Sequence, residues 1–168
     1  MTKIHILCIE DEPDVLDAII RDLASFEEHF PITGTPSAEE AQAVIASIEA
    51  KGERIGLIFC DHIMPGLRGI DLMTQLKEQP LQSVNGTKKV LFTGQAGHED
   101  TIQAINQAAI DHYLAKPWTQ PELEKITRKL LTDYVIETGL PPLSYLSILD
   151  AERLASAIHD RGEMNETG

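Results

Sequence analysis

Residues 55–71 read IGLIFCDHIMPGLRGID, and this stretch decides the fold. Residues 55–60 are an unbroken apolar run of strand length. Asp61 ends the run, Met64-Pro65-Gly66 makes a turn, and a helical pattern begins at Gly69 and continues to Lys77. A continuous apolar run of this kind marks a strand buried on both faces, as in a parallel sheet covered by helices. In open α/β sheets the reactive groups lie just beyond the carboxyl ends of the strands, which is where Asp61 stands.

The same grammar repeats on both sides. Residues 4–9 form a second apolar run, closed by Glu10-Asp11-Glu12. Pro13 then suits the first turn of a helix carrying Val15, Leu16, Ile19, Ile20 and Leu23 at helical spacing. Residues 30–33 make a short strand candidate. Ser37, with Glu40 three residues on, reads as a capping box opening a helix over 38–50. Beyond Lys77, the polar QPLQSVNGT of residues 79–87 is a connection, and residues 89–92 are the next strand. A helix with Ile102 and Ile105 on one face is predicted over 98–109, a last strand over 110–115, and a helix from Pro121 to about residue 135. Five strand–helix units in strict alternation predict a doubly wound, five-stranded parallel sheet of flavodoxin-like type, in the order 2-1-3-4-5.

Composition narrows the function classes. The chain has 168 residues, which suits one domain plus an extension, and 42% hydrophobic with 24% charged residues is an ordinary globular mixture. Fourteen Lys and Arg stand against 27 Asp and Glu, a formal charge of −13. So acidic a surface repels phosphate backbones and anionic lipid, and neither nucleic acid nor membrane is expected as a partner through this chain. Cys8 and Cys60 lie inside apolar runs and read as small core residues of a reducing compartment. The first apolar run meets acid too soon for a signal peptide or a span, so a cytoplasmic protein is expected. No G-x-x-x-x-G-K-[ST] or G-x-G-x-x-G motif is present, which argues against a P-loop nucleotidase and a dinucleotide site. The six histidines show no H-x-x-x-H spacing, and none is assigned a function.

Reading the strand ends in turn gives Glu10-Asp11-Glu12, then Asp61, then Thr93-Gly94, then Lys116-Pro117. The fold would thus bring carboxylates, a hydroxyl and an ammonium to one edge of the sheet. Clustered carboxylates repel unless a hard cation sits among them, and an all-oxygen set suits Mg2+. With the lysine, such a cation neutralises a transferring phosphoryl group, and Asp61 would be the nucleophile that forms an acyl phosphate.

The blocks IEDE, CDHIMPGLRGID, VLFTGQA and DHYLAKPW, in this order and spacing over roughly residues 3–136, closely resemble the receiver domain of response regulators in two-component systems. The resemblance implies that Asp61 is the phospho-acceptor and that Asp11 binds Mg2+ directly, with Glu10 acting through water. The main-chain carbonyl of Ile63 would complete the protein's metal ligands. It also implies that Thr93 is the switch hydroxyl and Lys116 the phosphate-binding lysine. Pro117 would follow a cis peptide bond, and Tyr113 would be the rotating aromatic switch. The donor would be a histidine kinase or phosphotransfer protein. Output would pass through the surface built from the 98–109 helix, the last strand and the helix after it, with a second copy as one possible partner. The protein is then a switch and not a turnover enzyme.

Several positions depart from the commonest pattern. Leu67-Arg68 stand where many members carry Met-Asp, and Trp118 stands where Phe is commoner. Apolar Ile63, two residues past the acceptor, cannot orient an attacking water, so slow loss of phosphate is expected. Gly94 leaves the site open to a donor. Two rivals stay open: a phosphorylation-independent receiver-like adaptor, and a small phosphatase, which the apolar residue at 63 weakens.

Residues 1–136 would form this domain and residues 137–168 an extension. Gly139 and Pro141-Pro142 break the preceding helix. A further helix over 144–159 is predicted, with Ile148, Ala151, Ala155 and Ile158 on one face and Leu154 at its margin. It reads as a packed terminal helix, a dimer-forming helix or a linker toward an output domain.

Overall fold

A computed structural model describes residues 2–94 and 109–166, with side chains through Gly162. Strands β1 (Ile4–Ile9), β2 (Ile32–Thr35), β3 (Arg54–Asp61), β4 (Lys88–Thr93) and β5 (His112–Ala115) form one sheet in the order β2-β1-β3-β4-β5. Every pairing is parallel. The order and the parallel sense are those that the alternation of runs predicts. The helix expected over 98–109 lies outside the described residues, apart from Ala109.

Helices α1 (Pro13–Asp22), α2 (Ala38–Ala50), α3 (Gly69–Glu78), α4 (Gln120–Thr138) and α5 (Ala151–Glu166) surround the sheet. Their starts follow local chemistry. The Ser37 hydroxyl accepts from the Glu40 N–H at 3.1 Å. At Thr119 the full capping box forms, with Glu122 bonding back to the Thr119 N–H at 3.2 Å. α4 runs to Thr138, three residues past the predicted end, and stops where Gly139 takes a left-handed conformation (φ 74°) that a side chain would resist.

Side chains alternate across the strands into two apolar layers. Ile6, Cys8, Leu57, Phe59 and Phe92 pack with α1 and α4 on one face. Leu7, Ile9, Ile58, Cys60 and Leu91 pack with α2 and α3 on the other. Cys8 and Cys60 are both fully buried free thiols, as their setting predicts.

β5 begins at His112, two residues past the predicted start, and two other elements depart further from expectation. β2 begins at Ile32, because Phe30 is taken up as a fully buried core residue and Pro31 ends the preceding turn. The extension is not helical from Ser144: residues 142–145 make one 3-10 turn, and α5 starts at Ala151, where the Asp150 carboxylate accepts from the Arg153 N–H at 3.2 Å. This start sets the buried face. Leu154 is fully buried at its centre, whereas Ala151 and Ala155 are exposed. Tyr145, Leu149 and Leu154 join the α1–α4 layer. Tyr145 stacks on Phe30 at 5.6 Å between ring centres, and Arg153 pairs with Asp133 of α4.

Candidate functional site

The carboxyl ends of β1, β3, β4 and β5 bring the strand-end residues to one edge. Glu10 and Asp11 follow β1, and Asp61 is the last residue of β3. Thr93 is the last residue of β4, and Lys116 follows β5 directly. Glu10, Asp11 and Asp61 each offer a carboxylate oxygen within 4.8 Å of the others. The Lys116 ammonium reaches into the group, 3.2 Å from Asp61 Oδ1 and 3.2 Å from Glu10 Oε2. Four of the predicted residues therefore form one cluster. Thr93 lies beside it, nearly buried, and its carbonyl accepts from the Lys116 N–H at 2.8 Å, which ties the ends of β4 and β5 together.

The electrostatics follow from burial. Glu10 is inaccessible to solvent, and desolvation, then the charge of Asp61, pushes its carboxyl up to about 7 against the opposing pull of Lys116. For Lys116, burial acts downward and is the largest single influence. The combined pull of the Asp61 and Glu10 carboxylates overrides it and holds the ammonium above its ordinary range. One cation thus serves two carboxylates at hydrogen-bonding distance, with Asp11 alongside. A hard divalent cation suits this excess of oxygen ligands.

The remaining predicted positions sit around this core. Ile63 lies on the loop after β3 and is 75% exposed. Tyr113, opposite Leu91 in the β4–β5 register, is partly buried against the α2–α3 layer. The Lys116–Pro117 peptide bond is cis, as the resemblance implies. Gly94 has open space where a side chain would begin. Arg68 is turned along the surface onto Asp71, at 3.0 and 3.3 Å.

Two residues outside the carboxylate–lysine cluster shape this edge. A Cβ on Gly69 would fall 2.3 Å from the Asp61 carbonyl oxygen and 3.0 Å from Cys60 Sγ, so only glycine lets α3 start this close to Asp61. The signal was present as a glycine at the first position of a helix, but a close approach cannot be read without the third dimension. Trp118, which stands where Phe is commoner, packs with its ring 4.9 Å from Phe92, and its indole N–H also donates to Asp22 Oδ2 at 3.0 Å, fastening the start of α4 to the end of α1.

Comparison with known proteins agrees with this geometry. The chain is 28% identical over 163 residues to the hydrogenase transcriptional regulatory protein HoxA of Cupriavidus necator, covering 90% of this chain and 31% of that protein. It is 29% identical over 128 residues to the response regulator SaeR of Staphylococcus aureus, covering 76% and 50% respectively. The chain thus spans between about a third and a half of the length of these curated relatives. Among solved structures, the signal receiver domain of an HD domain-containing protein from Pseudomonas fluorescens superposes with a TM-score of 0.70 at 22% identity, over 83% of this chain and 94% of that one. NtrX from Brucella abortus, in complex with ADP, gives 0.66 at 23% identity, over 85% and 30%. The profile of the response regulator receiver domain matches residues 6–128, which hold all four strand-end blocks. The chain belongs to the response regulator receiver domain family.

Proposed function

We propose that this domain is a phosphorylation switch in which Asp61 accepts a phosphoryl group from a phosphohistidine donor, a histidine kinase or phosphotransfer protein. The observation that carries the reading is the convergence of Glu10, Asp11 and Asp61 within 4.8 Å, with the Lys116 ammonium 3.2 Å from Asp61. An Asp61 oxygen attacks phosphorus, the P–N bond to the donor imidazole breaks, and the electron pair leaves with that nitrogen. Lys116 would neutralise charge on the transferred group, and the Thr93 hydroxyl would bond one of its oxygens.

Asp11, Asp61 and the main-chain carbonyl of Ile63 are the proposed ligands for Mg2+, with Glu10 acting through water. When bound, the cation supplies charge neutralisation at the attacking oxygen and the phosphoryl oxygens. Phosphorylation then draws in Thr93, Tyr113 turns inward, and the surface around β5 and α4 changes its preference among partners, a second copy included. This is a shift between two populations, not a new fold. The protein acts as a switch, with no substrate turned over.

Intact-mass spectrometry after incubation with acetyl phosphate and Mg2+ tests the reading. One phosphoryl adduct in the wild type, absent in Asp61→Asn and absent with EDTA, is the expected result. No adduct under conditions that label a control receiver would instead leave a constitutive adaptor. Sustained release of inorganic phosphate from an aryl phosphate would make the protein a phosphatase.

A further inference from the structure

Lys116 brings its ammonium to the carboxylates from just past the end of β5, where sheet pairing gives out. It stands 3.2 Å from Asp61 and 3.2 and 3.4 Å from the two Glu10 oxygens. The Lys116 N–H still donates to the Thr93 carbonyl at 2.8 Å. Pro117, however, has no N–H with which to tether the next residue. A long lysine side chain on a loop held at one point only would sample many positions.

Trp118 supplies a second fixed point. Its ring lies 4.9 Å from Phe92, and its indole N–H donates to Asp22 Oδ2 at 3.0 Å, across 96 residues of sequence. Asp22 is the last residue of α1, with its side chain 18% exposed. The Arg21 guanidinium stands 3.9 Å from the other Asp22 oxygen and is 76% exposed, so it competes weakly with the indole. Packing does not clamp the loop along its length. An open groove of about 500 Å3 runs between them, with Asp14, Val15 and Ala18 on the α1 side and Lys116 and Pro117 on the other. Moreover, α1 begins directly after the Glu10-Asp11-Glu12 turn. The contacts therefore close a ring: from Glu10 along α1 to Asp22, across to Trp118, back through Pro117 to Lys116, and from its ammonium to Glu10.

We propose that Asp22 and Trp118 are positioning residues for Lys116: the bond between them sets the loop after β5 so that the ammonium is aimed at Asp61 before a phosphoryl group arrives. For its effect on phosphoryl transfer, this rests on the reading of Asp61 as the acceptor. A charge already in place needs no reorganisation when charge develops on the transferring group. Phe at position 118 would keep a ring against Phe92 but offer no donor to Asp22.

The test compares Trp118→Phe, Asp22→Ala and Asp22→Asn, the last of which keeps an acceptor oxygen. Without Mg2+ or a phosphoryl donor, the NMR signals of the two Lys116 ε-methylene protons report whether the side chain is held. They should be resolved in the wild type and in Asp22→Asn, and merged in Trp118→Phe and Asp22→Ala. With acetyl phosphate and Mg2+, the limiting rate of labelling should fall roughly tenfold in those same two variants. The half-saturating acetyl phosphate concentration should not change, and Asp22→Asn should recover most of the rate. Variants that are less stable to urea, yet keep the wild-type Lys116 signals and limiting rate, would overturn the proposal and leave Trp118 as packing. Merged signals with an unchanged limiting rate would refute it as well. A wild type that takes no phosphoryl group sinks the reading of Asp61, and the Lys116 spectra still decide whether Asp22 and Trp118 hold the lysine. If Trp118→Phe does not fold, the two Asp22 variants carry the comparison.

Discussion

At the scale of single residues, Asp61 and Glu10 share the Lys116 ammonium and press against each other. Replacing Asp61 by Asn removes one of the two opposed charges. In EDTA this variant should be more stable than the wild type by on the order of 1 kcal/mol, measured by urea unfolding, and it should lose most of the wild type's stabilisation by Mg2+. An unchanged midpoint in EDTA would mean that the carboxylates do not repel. Ile63 bears on a different property, the lifetime of the phosphorylated form. Its exposed apolar side chain offers no hydrogen bond to an attacking water, so Ile63→Asn should shorten that lifetime several-fold. Decay within seconds in the wild type, and no faster in the variant, would contradict this. The residues of the cluster were legible because each follows directly on an apolar run. The burial of Glu10 was not, since an acid in an E-D-E run reads as solvated until the layers above and below it are known.

At the scale of elements, the start of α3 is fixed by one atom that is absent. With its Cβ 2.3 Å from the Asp61 carbonyl, Gly69→Ala must displace either the helix or the end of β3. The expected loss is about 1–3 kcal/mol, together with slower labelling of Asp61 by acetyl phosphate. A variant of wild-type stability and labelling rate would show that the contact is relieved at no cost. The strands β1, β3 and β4 could be read in sequence to within two residues at each end, because both of their faces are buried and the runs are unbroken. β2 could not be placed as well. Its segment ITGT has one buried residue and three half-buried ones, so it carries no clear period. The α5 face was misjudged for a related reason: where a helix starts sets which residues point inward, and the Asp150 cap lies six residues past the predicted start.

At the scale of the whole molecule, the chain after α4 belongs to the core. Tyr145, Leu149 and Leu154 cover Phe30 and its neighbours, so a chain ending at Leu140 should expose this layer. It is expected to lose several kcal/mol of stability, each large side chain buried here contributing about 1.5–3 kcal/mol, and to bind a hydrophobic dye. Unchanged urea unfolding after truncation would make the extension a mere linker. Alkaline pH tests the same core. Burial pushes the Cys8 thiol up from 9.0 to about 12, and the Cys60 thiol higher still. A raised folded-state pKa means that the stability is fully present below pH 9 and lost as pH climbs through the folded value. The slope should be about 1.4 kcal/mol per pH unit for each buried thiol between pH 9 and 12. A stability flat from pH 8 to 11 would contradict their burial, as would reaction of the native thiols with a disulfide reagent.

The chain has a single tryptophan. Trp118 sits two residues past Lys116, its ring faces Phe92 one residue before Thr93, and its N–H is held by Asp22. The molecule therefore carries its own optical probe, attached to two of the strand ends that bear the proposed phosphorylation site. Excited at the red edge of its absorption, its emission comes from this one place, and cation binding or phosphorylation can be followed in real time on unlabelled protein.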